Sequence, residues 1–356
     1  MKVIISAGGT GGHIYPALAI INKIKEKDKT AEILYIGTTE RMEKDLIPNM
    51  GINYEGIKAR GLSKNPIKAL KSINMMLKSV NKCKEIMKKF KPDIVIGVGG
   101  YVTVPVVLAA HKLGIKVILH EQNSIPGKAN RFLSKYAEVV CTSMECSNKY
   151  FKNALYTGNP RAEEVTKVVK AKKSDYGLSV HKKLVLITTG SLGSSTVNNT
   201  IIEMLSQFKN KSYEVLLVTG NSSYEKYKKL KTPENVHIAP YIENMLELLR
   251  ATDLIVSRAG ATTIAEITAL GLPSILIPSP YVVNNHQYLN ALELKENEAC
   301  ILIEEKDLNK DILFNNIEDI MNNIELYKKL SKNSKKMGTP DSATKIYEQI
   351  KTILNK

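Results

Sequence analysis

The amino-acid sequence predicts an α/β protein made of two doubly wound, Rossmann-like domains. Its 356 residues are too many for one hydrophobic core, and chains of this length commonly form two domains. Short β-branched runs alternate with helical stretches along most of the chain, which is the pattern of parallel βαβ units. Glycine-rich turns follow several of these runs, at the end of the strand where such sheets bind ligands. The apolar share of 43% is ordinary for a soluble protein of this class.

The strand candidates form one set in each half of the chain. In the N-terminal half they are Val3–Ser6, Ile33–Ile36, Ile94–Val98, Val117–Leu119 and Val139–Thr142. In the C-terminal half they are Leu184–Thr188, Val215–Thr219, Val236–Ile238, Leu254–Val256, Ser274–Ile277 and Ile301–Ile303. A Gly158-Asn159-Pro160 turn followed by a polar helical stretch separates the sets, so the expected domains are 1–160 and 161–340.

A last helix is predicted over 341–356 and is expected to pack back onto the N-terminal domain. Gly338-Thr339-Pro340 interrupts the chain before it, and Asp341 or Ser342 can cap its first turn. The apolar residues at helical spacing are Ile346, Ile350 and Ile353.

Several classes of protein are disfavoured by what the sequence lacks. No apolar run is long enough to span a membrane as a helix, and the chain begins with a strand-like segment rather than a signal peptide. The four cysteines have neither C-x-x-C pairing nor the density of a disulfide framework, which predicts reduced thiols in a cytosolic protein.

The positive charge is concentrated in one segment. The formal net charge is +16, and residues 58–91 contain eleven basic side chains against one acidic one. Such a surface favours a polyanionic partner, either nucleic acid or an anionic membrane face. The alternative is a lysine-rich protein without a specific partner. Nucleic acid is disfavoured because aromatic residues are not interleaved with the basic ones.

Within this segment the spacing predicts a helix with two different faces. Its apolar stripe, predicted to be core, is Ile73, Met76, Val80, Cys83, Met87 and Phe90. Lys71, Lys78, Lys82 and Lys89 lie on the opposite face, and Met75 lies among them. An apolar residue in a field of lysines is typical of a membrane-surface helix, although a single exposed methionine is also common without a function.

Four strand candidates run into glycine-containing turns that precede helices. The first is Gly8-Gly9-Thr10-Gly11-Gly12-His13, which matches neither the dinucleotide fingerprint nor the Walker phosphate loop. The other three turns are Gly99-Gly100-Tyr101, Thr189-Gly190-Ser191-Leu192-Gly193 and Ser257-Arg258-Ala259-Gly260-Ala261. Each can present backbone N–H groups to an anion, and two in each half predict one bound anion per half. Taken singly, such glycines are explained equally well by steric need alone.

Glu266 follows Gly260 by six residues, about one and a half helical turns. A carboxylate there can accept hydrogen bonds from a ribose diol while the helix start holds a pyrophosphate. The pattern by itself favours the simpler interpretation, a solvated glutamate stabilised by the helix dipole.

These turns, with other motifs in the same order, resemble the MurG family of peptidoglycan N-acetylglucosaminyltransferases. The resemblance covers nearly the whole chain. Its further motifs are Arg60-Gly61-Leu62, His120-Glu121-Gln122-Asn123, Gly158-Asn159-Pro160-Arg161, Gly271-Leu272-Pro273 and Gln287-Tyr288-Leu289-Asn290-Ala291. It implies the glycosyltransferase B fold, with two domains facing a cleft. It also implies inverting transfer of GlcNAc from UDP-GlcNAc to the C4 hydroxyl of MurNAc in undecaprenyl-diphospho-MurNAc-pentapeptide.

The same resemblance implies partners and a location. The expected partners are UDP-GlcNAc, the undecaprenyl-linked MurNAc-pentapeptide, an anionic membrane surface and other cell-wall synthesis proteins, with no nucleic acid. The expected place is the cytoplasmic face of the bacterial cell membrane, where the protein is peripheral. No cofactor is implied.

The resemblance also assigns site residues by matching motif. For UDP-GlcNAc they are Thr10, Gly11, Gly12, Asn123, Arg161, Ser191, Ile242, Gly260, Ala261, Thr262, Glu266, His286 and Gln287. For the lipid acceptor they are Gly9, Thr10, His13, Gly99, Gly100 and Tyr101. The catalytic pair is His13 and Asn123. Two features depart from the family: Thr189 replaces a glycine, and the basic helix lacks the aromatic residues of better-known members.

His13 is the candidate general base because an imidazole titrates near neutral pH and no carboxylate lies in its loop. The alternative is that His13 only binds the acceptor diphosphate or caps its helix. The chain contains no D-x-D pair, so we expect helix N-termini rather than a metal ion to stabilise the leaving diphosphate.

Three other functions remain as alternatives. Another UDP-sugar enzyme of the same fold, such as a glycolipid glycosyltransferase or UDP-GlcNAc 2-epimerase, is the nearest. A nicotinamide oxidoreductase is disfavoured by the failed fingerprint, and a nucleic-acid-binding protein by the missing aromatic residues.

Overall fold

The computed structural model describes residues 1–61, 65–190 and 193–355, and of residues 66–70 only the backbone. The chain forms two compact units. Unit 1 is Met1–Arg161 together with Asp341–Lys356, and unit 2 is Ala162–Pro340. The chain therefore leaves unit 1 once and returns to it at the C-terminus.

Each unit is built around one parallel sheet. In unit 1 the seven strands are ordered β3-β2-β1-β4-β5-β6-β7, and in unit 2 the six strands are ordered β10-β9-β8-β11-β12-β13. The strands of unit 1 are β1 Lys2–Ala7, β2 Glu32–Thr38, β3 Asn53–Ile57, β4 Ile94–Gly99, β5 Lys116–Glu121, β6 Val139–Thr142 and β7 Ala154–Tyr156. Those of unit 2 are β8 Lys183–Thr188, β9 Tyr213–Val218, β10 Val236–Ala239, β11 Leu254–Ser257, β12 Ser274–Leu276 and β13 Ile301–Leu302.

Most of the described α-helices connect successive strands, and the last three follow β13. The first seven are α1 Gly11–Lys27, α2 Glu43–Asn49, α3 Pro66–Phe90, α4 Thr103–Lys112, α5 Lys128–Leu133, α6 Arg161–Lys167 and α7 Ser195–Met204. The others are α8 Asn221–Tyr227, α9 Met245–Ala251, α10 Ala261–Leu270, α11 His286–Glu296, α12 Lys310–Asn322, α13 Ile324–Lys336 and α14 Ser342–Ile353. The predicted pair of doubly wound domains is confirmed.

All eleven predicted strands are present, and two strands of unit 1 were not predicted. Both are edge strands, β3 and β7, at opposite ends of the sheet. The sequence of β3, Asn-Tyr-Glu-Gly-Ile, lacks an apolar run, and β7 has only three residues. An edge strand buries less of its surface, so its sequence carries a weaker apolar signal.

The last helix belongs to the core of unit 1. Ile346 and Ile350 are fully buried and pack in the same cluster as Ile14 and Ile20 of α1. Neither predicted capping side chain caps the helix. Asp341 precedes α14 but makes no cap hydrogen bond, and its carboxylate lies 3.1 Å from the ammonium of Lys345. The Ser342 hydroxyl instead donates to the carbonyl oxygen of Asn159 at 2.5 Å, which ties the returning chain to unit 1.

In the core of unit 2, helices α7 and α12 pack against one face of the sheet. Phe208 and Tyr213 are buried there and meet edge to face, with ring centroids 6.2 Å apart. All four cysteines are free thiols. Within the described ranges, no helix combines the length and apolar character needed to cross a membrane.

Candidate active site

The turns after β1 and β4 pack directly against each other because these two strands are neighbours in the sheet. A Cβ atom on Gly100 would lie 2.4 Å from the carbonyl oxygen of Gly8, far inside van der Waals contact. Gly99 and Gly100 also have φ angles of +114° and +87°, which disfavour any other residue. The glycines of the second turn are therefore required by packing and backbone conformation.

His13 lies in the first turn of α1, which begins at Gly11. The helix contains Pro16 in its second turn. The Nδ1 atom of His13 is 3.2 Å from the Gly8 carbonyl oxygen and 3.5 Å from the Thr10 hydroxyl. A carbonyl can only accept, so Nδ1 carries the proton of the neutral ring and Nε2 is the basic nitrogen.

The other edge of the His13 ring faces the second turn. A Cβ atom on Gly99 would lie 2.6 Å from Cδ2 and 2.9 Å from Nε2 of His13. The structure thus brings His13, Gly99 and Gly100 together, as a shared role in acceptor binding requires. Tyr101 is next to them and 57% exposed, and its ring packs on Gly61, where a Cβ atom would be 2.7 Å from the ring.

The end of β5 carries a buried polar cluster that orients Asn123. One oxygen of Glu121 accepts from the backbone N–H and the side-chain amide of Asn123, at 3.0 and 3.4 Å. The other oxygen accepts from the N–H of Gly127 and the amide of Asn130, at 3.1 and 2.9 Å. Burial raises the pKa of the Glu121 carboxyl despite these bonds. The motif was recognised from the sequence, but the role of Glu121 was not.

His120 is fully buried and is held as a neutral ring. The side-chain amide of Gln122 donates to the Nδ1 atom of His120 at 2.9 Å. The Nε2 atom of His120 lies 3.3 Å from the carbonyl oxygen of Gly158. Burial lowers the pKa of His120 to about 4. A neutral, fully enclosed imidazole links β5 to the turn before Arg161 and is not placed to exchange protons with a substrate.

Arg161 lies beside α1. Its guanidinium group is 5.2 Å from the ring centroid of Tyr15, two residues after His13, in a cation–π arrangement. Its backbone N–H donates to the side chain of Asn159 at 3.1 Å. Arg161 is therefore on the same side of unit 1 as the His13 loop.

In unit 2 the turn after β8 is shaped by Asn198. Ser191 lies outside the described residues. The Thr189 hydroxyl donates to the Asn198 amide oxygen at 3.3 Å, and the Asn198 amide donates to the carbonyl of Thr219 at 3.0 Å. Gly190 and Gly193 take the positive φ angles, +86° and +72°. Thr189 is accommodated because its side chain is buried and hydrogen-bonded.

Arg258 joins this turn to the one after β11. Its guanidinium group donates to the Ser194 hydroxyl at 2.7 Å and to the carbonyl of Ile277 at 3.1 Å. It also forms an ion pair with Glu305 at 2.5 Å, and both side chains are largely buried. The sequence offered no sign of the Glu305 partnership, which depends on two distant segments meeting.

The N-terminus of α10 is formed by Gly260, Ala261 and Thr262. Gly260 precedes the helix and provides no side-chain cap. The Thr262 hydroxyl is buried and has no hydrogen-bond partner within the described part of the chain. Glu266 is only 7% exposed, so the interpretation of this residue as a solvated helix glutamate is wrong.

The start of α11 holds the turn after β12. The Gln287 side-chain oxygen accepts from the backbone N–H of Ser279 at 2.9 Å, and His286 Nδ1 donates to the carbonyl of Val283 at 2.8 Å. Asn284 and Asn285 precede them with positive φ angles of 56° and 49°. Ile242, after β10, is buried in the wall of a cavity of about 960 Å³ within unit 2.

The two faces of α3 differ from the prediction in its first half. Val80, Cys83 and Met87 are core, but Ile73 is 40% exposed and Leu77 is 52% exposed. Met75, expected to be the exposed apolar residue, is half-buried. From residue 71 onward, the side chains of α3 that belong to the core cluster begin at Val80. Lys71 and Lys78 are exposed, whereas the Lys82 ammonium donates to the carbonyl of Gly56 at 2.7 Å.

Both halves of the chain match one family of enzymes. Residues 3–142 match the glycosyltransferase family 28 N-terminal domain, and residues 184–346 match its C-terminal domain. A UDP-N-acetylglucosamine–N-acetylmuramyl-(pentapeptide) pyrophosphoryl-undecaprenol N-acetylglucosamine transferase of Bacillus cytotoxicus is 45% identical, with 100% of each chain covered. The protein of the same description from Bacillus licheniformis is 43% identical, with 99% of each covered.

Solved structures share the fold. The crystal structure of Acinetobacter baumannii MurG superposes with a TM-score of 0.79 and 27% identity, covering 99% of both chains. A UDP-GlcNAc 2-epimerase from Neisseria meningitidis, bound to UDP-GlcNAc, has a TM-score of 0.68 and 17% identity, covering 98% of this chain and 99% of that one. The second similarity extends to the fold alone.

Proposed function

This chain belongs to glycosyltransferase family 28 and, within it, to the UDP-N-acetylglucosamine–N-acetylmuramyl-(pentapeptide) pyrophosphoryl-undecaprenol N-acetylglucosamine transferases, and from this premise we propose how its residues carry out the transfer. The enzyme is a hexosyltransferase of peptidoglycan synthesis. It moves GlcNAc from UDP-GlcNAc to the MurNAc sugar of the undecaprenyl-diphosphate-linked pentapeptide, converting lipid I to lipid II.

Unit 2 binds the donor in this proposal. The N-terminus of α10, with Gly260 and Ala261, faces the diphosphate, and the hydroxyl of Thr262, which no other described residue binds, donates to it. Ser191 from the turn after β8 assists. The backbone of Ile242 recognises the uracil, and the buried carboxylate of Glu266 accepts from the ribose hydroxyls.

The GlcNAc hydroxyls are bound by His286 and Gln287 at the start of α11. Because the Gln287 oxygen already accepts from Ser279, its amide nitrogen is the group that donates to the sugar. From unit 1, Asn123 and Arg161 bind the donor sugar close to the reacting carbon, and Thr10, Gly11 and Gly12 add contacts from the first turn.

Unit 1 binds the acceptor. Gly9, Thr10, Gly99, Gly100 and Tyr101 surround the lipid diphosphate and the MurNAc sugar. The single observation that carries the mechanism is the geometry of His13, whose Nδ1 proton is held by the Gly8 carbonyl while Nε2 lies beside Gly99. His13 Nε2 removes the proton of the C4 hydroxyl as its oxygen attacks the anomeric carbon.

As the new glycosidic bond forms, the bond to UDP breaks and negative charge collects on the leaving diphosphate. The N–H groups at the start of α10 and the Thr262 hydroxyl stabilise that charge, as preorganised donors do in other transferases. The protonated His13 later returns its proton to solvent.

The enzyme acts in this proposal as a peripheral protein at the cytoplasmic face of the bacterial cell membrane. The first half of α3 makes the contact, with Lys71, Lys78 and Met75 supplemented by the exposed Ile73 and Leu77. Apolar side chains surrounded by lysines suit an anionic interface. Lys82 contributes less, since its ammonium already binds the Gly56 carbonyl.

The decisive experiment measures UDP release from UDP-GlcNAc with and without a lipid I analogue. We expect release only with the acceptor, together with a product that is heavier by one GlcNAc. His13→Ala should lower kcat by about 10²–10⁴ while the donor KM is nearly unchanged. UDP release without acceptor would support an epimerase instead. A normal kcat with a raised acceptor KM would make His13 a binding residue.

A further inference from the structure

Glu43, the first residue of α2, is a fully buried carboxylate that has no part in the mechanism above. Buried carboxylates are uncommon, and they persist where several donors satisfy them. One oxygen of Glu43 accepts from the backbone N–H of Thr38 at 3.1 Å and from the Thr38 hydroxyl at 2.7 Å. These two bonds anchor the carboxylate to the end of β2.

The other oxygen reaches the first glycine turn. Glu43 Oε2 accepts from the backbone N–H of Gly9 at 3.4 Å. A Cβ atom on Gly8 would lie 2.5 Å from Glu43 Oε1, so the turn rests directly on the carboxylate. The absence of a side chain at Gly8 is thus explained by Glu43 rather than by a ligand.

The Gly8 carbonyl and the Gly9 N–H belong to the same planar peptide group and point in opposite directions. Glu43 binds the N–H end of this group, and His13 Nδ1 binds the carbonyl end. Rotation of a peptide between two glycines meets little steric resistance, and Gly9 already has a φ of +94°. A rotated peptide would present an N–H group to His13 Nδ1 and would favour the opposite tautomer of the ring.

We propose that Glu43 is a positioning residue that holds the Gly8–Gly9 peptide in the orientation that keeps the proton on His13 Nδ1 and leaves Nε2 basic. The Glu43 oxygen at the N–H end also polarises the peptide and strengthens its carbonyl as an acceptor for Nδ1–H. The consequence for catalysis rests on the proposed role of His13 as general base.

The informative variant is Glu43→Gln. A glutamine has one acceptor oxygen, and with that oxygen toward the two Thr38 donors its NH₂ group opposes the Gly9 N–H. Thr38→Val is the matched control, because it removes one hydrogen bond from the same carboxylate and leaves the Gly9 contact intact. Both variants disturb the buried cluster, so Tm is measured for each to relate activity to stability.

For Glu43→Gln we expect kcat to fall by about tenfold, as for the loss of one hydrogen bond in the site, with an unchanged KM for UDP-GlcNAc. Thr38→Val should keep kcat within about twofold at a comparable loss of Tm. Nitrogen-15 NMR of the His13 ring should show a protonated Nδ1 in the parent protein and a mixture of tautomers in Glu43→Gln. An unchanged tautomer in Glu43→Gln overturns the proposal.

A double-mutant cycle separates this proposal from the one on which it rests. If Glu43 acts through His13, Glu43→Gln lowers kcat in the parent and causes no further loss in a His13→Ala background. Equal losses in both backgrounds would show a merely structural effect and contradict the proposal. If His13→Ala alone leaves kcat unchanged, the general-base role fails, while the NMR comparison still tests the positioning role.

Discussion

His120 and Glu121 are adjacent on β5 and nearly inaccessible, and burial affects their protonation in opposite ways. It lowers the pKa of His120 to about 4 and raises the pKa of Glu121, so burial favours the neutral form of both residues. Each keeps hydrogen bonds that suit its place: the imidazole to the Gly158 carbonyl, and the carboxyl to the loop that carries Asn123. The stability of this part of unit 1 should therefore depend on pH.

We expect the free energy of unfolding to decrease as the pH falls from about 6.5 toward 4 because of His120. In the unfolded chain the ring has its ordinary pKa near 6.5, so between pH 6.5 and 4 it binds a proton that the folded ring does not bind. The contribution of the neutral His120 ring to the free energy of unfolding is fully present above pH 6.5. At pH 4 it is lower by on the order of 3 kcal/mol. Urea unfolding at pH 7.5 and pH 5 measures it.

His120→Gln should be less sensitive to this change of pH than the parent, whereas His181→Gln, which alters an exposed histidine, should behave like the parent. Equal pH sensitivity of all three proteins would show that His120 is not the group responsible.

Glu266 allows a second prediction for a single residue. Glu266→Ala should weaken UDP binding by on the order of 1.5–3 kcal/mol, the value of hydrogen bonds to a charged group. Calorimetry with UDP and with 2′-deoxy-UDP measures it, and the variant should distinguish the two ligands less than the parent does. Glu214→Ala is the control, since it removes another buried glutamate of unit 2, one that binds the backbone N–H of Ser179. Unchanged UDP affinity in Glu266→Ala would remove this residue from the donor site.

The start of α10 combines a glycine that offers no side-chain cap with a buried hydroxyl, that of Thr262, which has no hydrogen-bond partner among the residues that the structure describes. A helix N-terminus carries partial positive charge and free N–H groups, so it can replace a cation beside a diphosphate. Arg258, in the turn before it, is directed inward to Glu305 and Ser194 and holds the turns after β8 and β11 together.

This arrangement, with the missing D-x-D pair, predicts that GlcNAc transfer continues in excess EDTA. Thr262→Val should lower kcat by about tenfold, since it deletes one donor to the leaving group. The assay follows UDP release with EDTA, with added Mg²⁺ and without either. A loss of activity in EDTA that Mg²⁺ restores would contradict the role given to α10.

The elements of the sheet interior could be predicted because buried parallel strands are rich in β-branched residues, as in Ile94–Val98. The edge strands β3 and β7 could not, since half-buried strands tolerate polar residues and glycine. The same division holds in the site. His13 and Glu266 belong to recognisable motifs, whereas Glu43 and Glu305 act through contacts between segments far apart in sequence. The spacing of residues along the sequence does not indicate such contacts.

Across the whole molecule the charge is uneven. The net charge is +16, and the basic segment 58–91 includes all of α3. The exposed apolar residues of that helix, Ile73 and Leu77, lie in its first half near Lys71 and Lys78. A lysine near an anionic membrane contributes about 1 kcal/mol, and salt screens the attraction over a Debye length.

Lys71→Glu combined with Lys78→Glu should therefore weaken binding to anionic vesicles by about 10²–10³-fold at low salt. Lys82 is left unchanged because its bond to the Gly56 carbonyl supports the fold. The same two charge reversals at Lys209 and Lys229, exposed residues of unit 2, form the control with an identical net charge. Co-sedimentation with vesicles at low and high salt measures binding.

Turnover of two acceptors then tests the consequence for function. The α3 variant should use the long-chain lipid acceptor poorly and a short-chain soluble analogue almost normally, because the residues proposed for catalysis are unchanged. The unit 2 control should use both like the parent. If the control loses vesicle binding as much as the α3 variant, total charge rather than the face of α3 governs attachment. If neither loses it, α3 is a solvated basic helix and another surface meets the membrane.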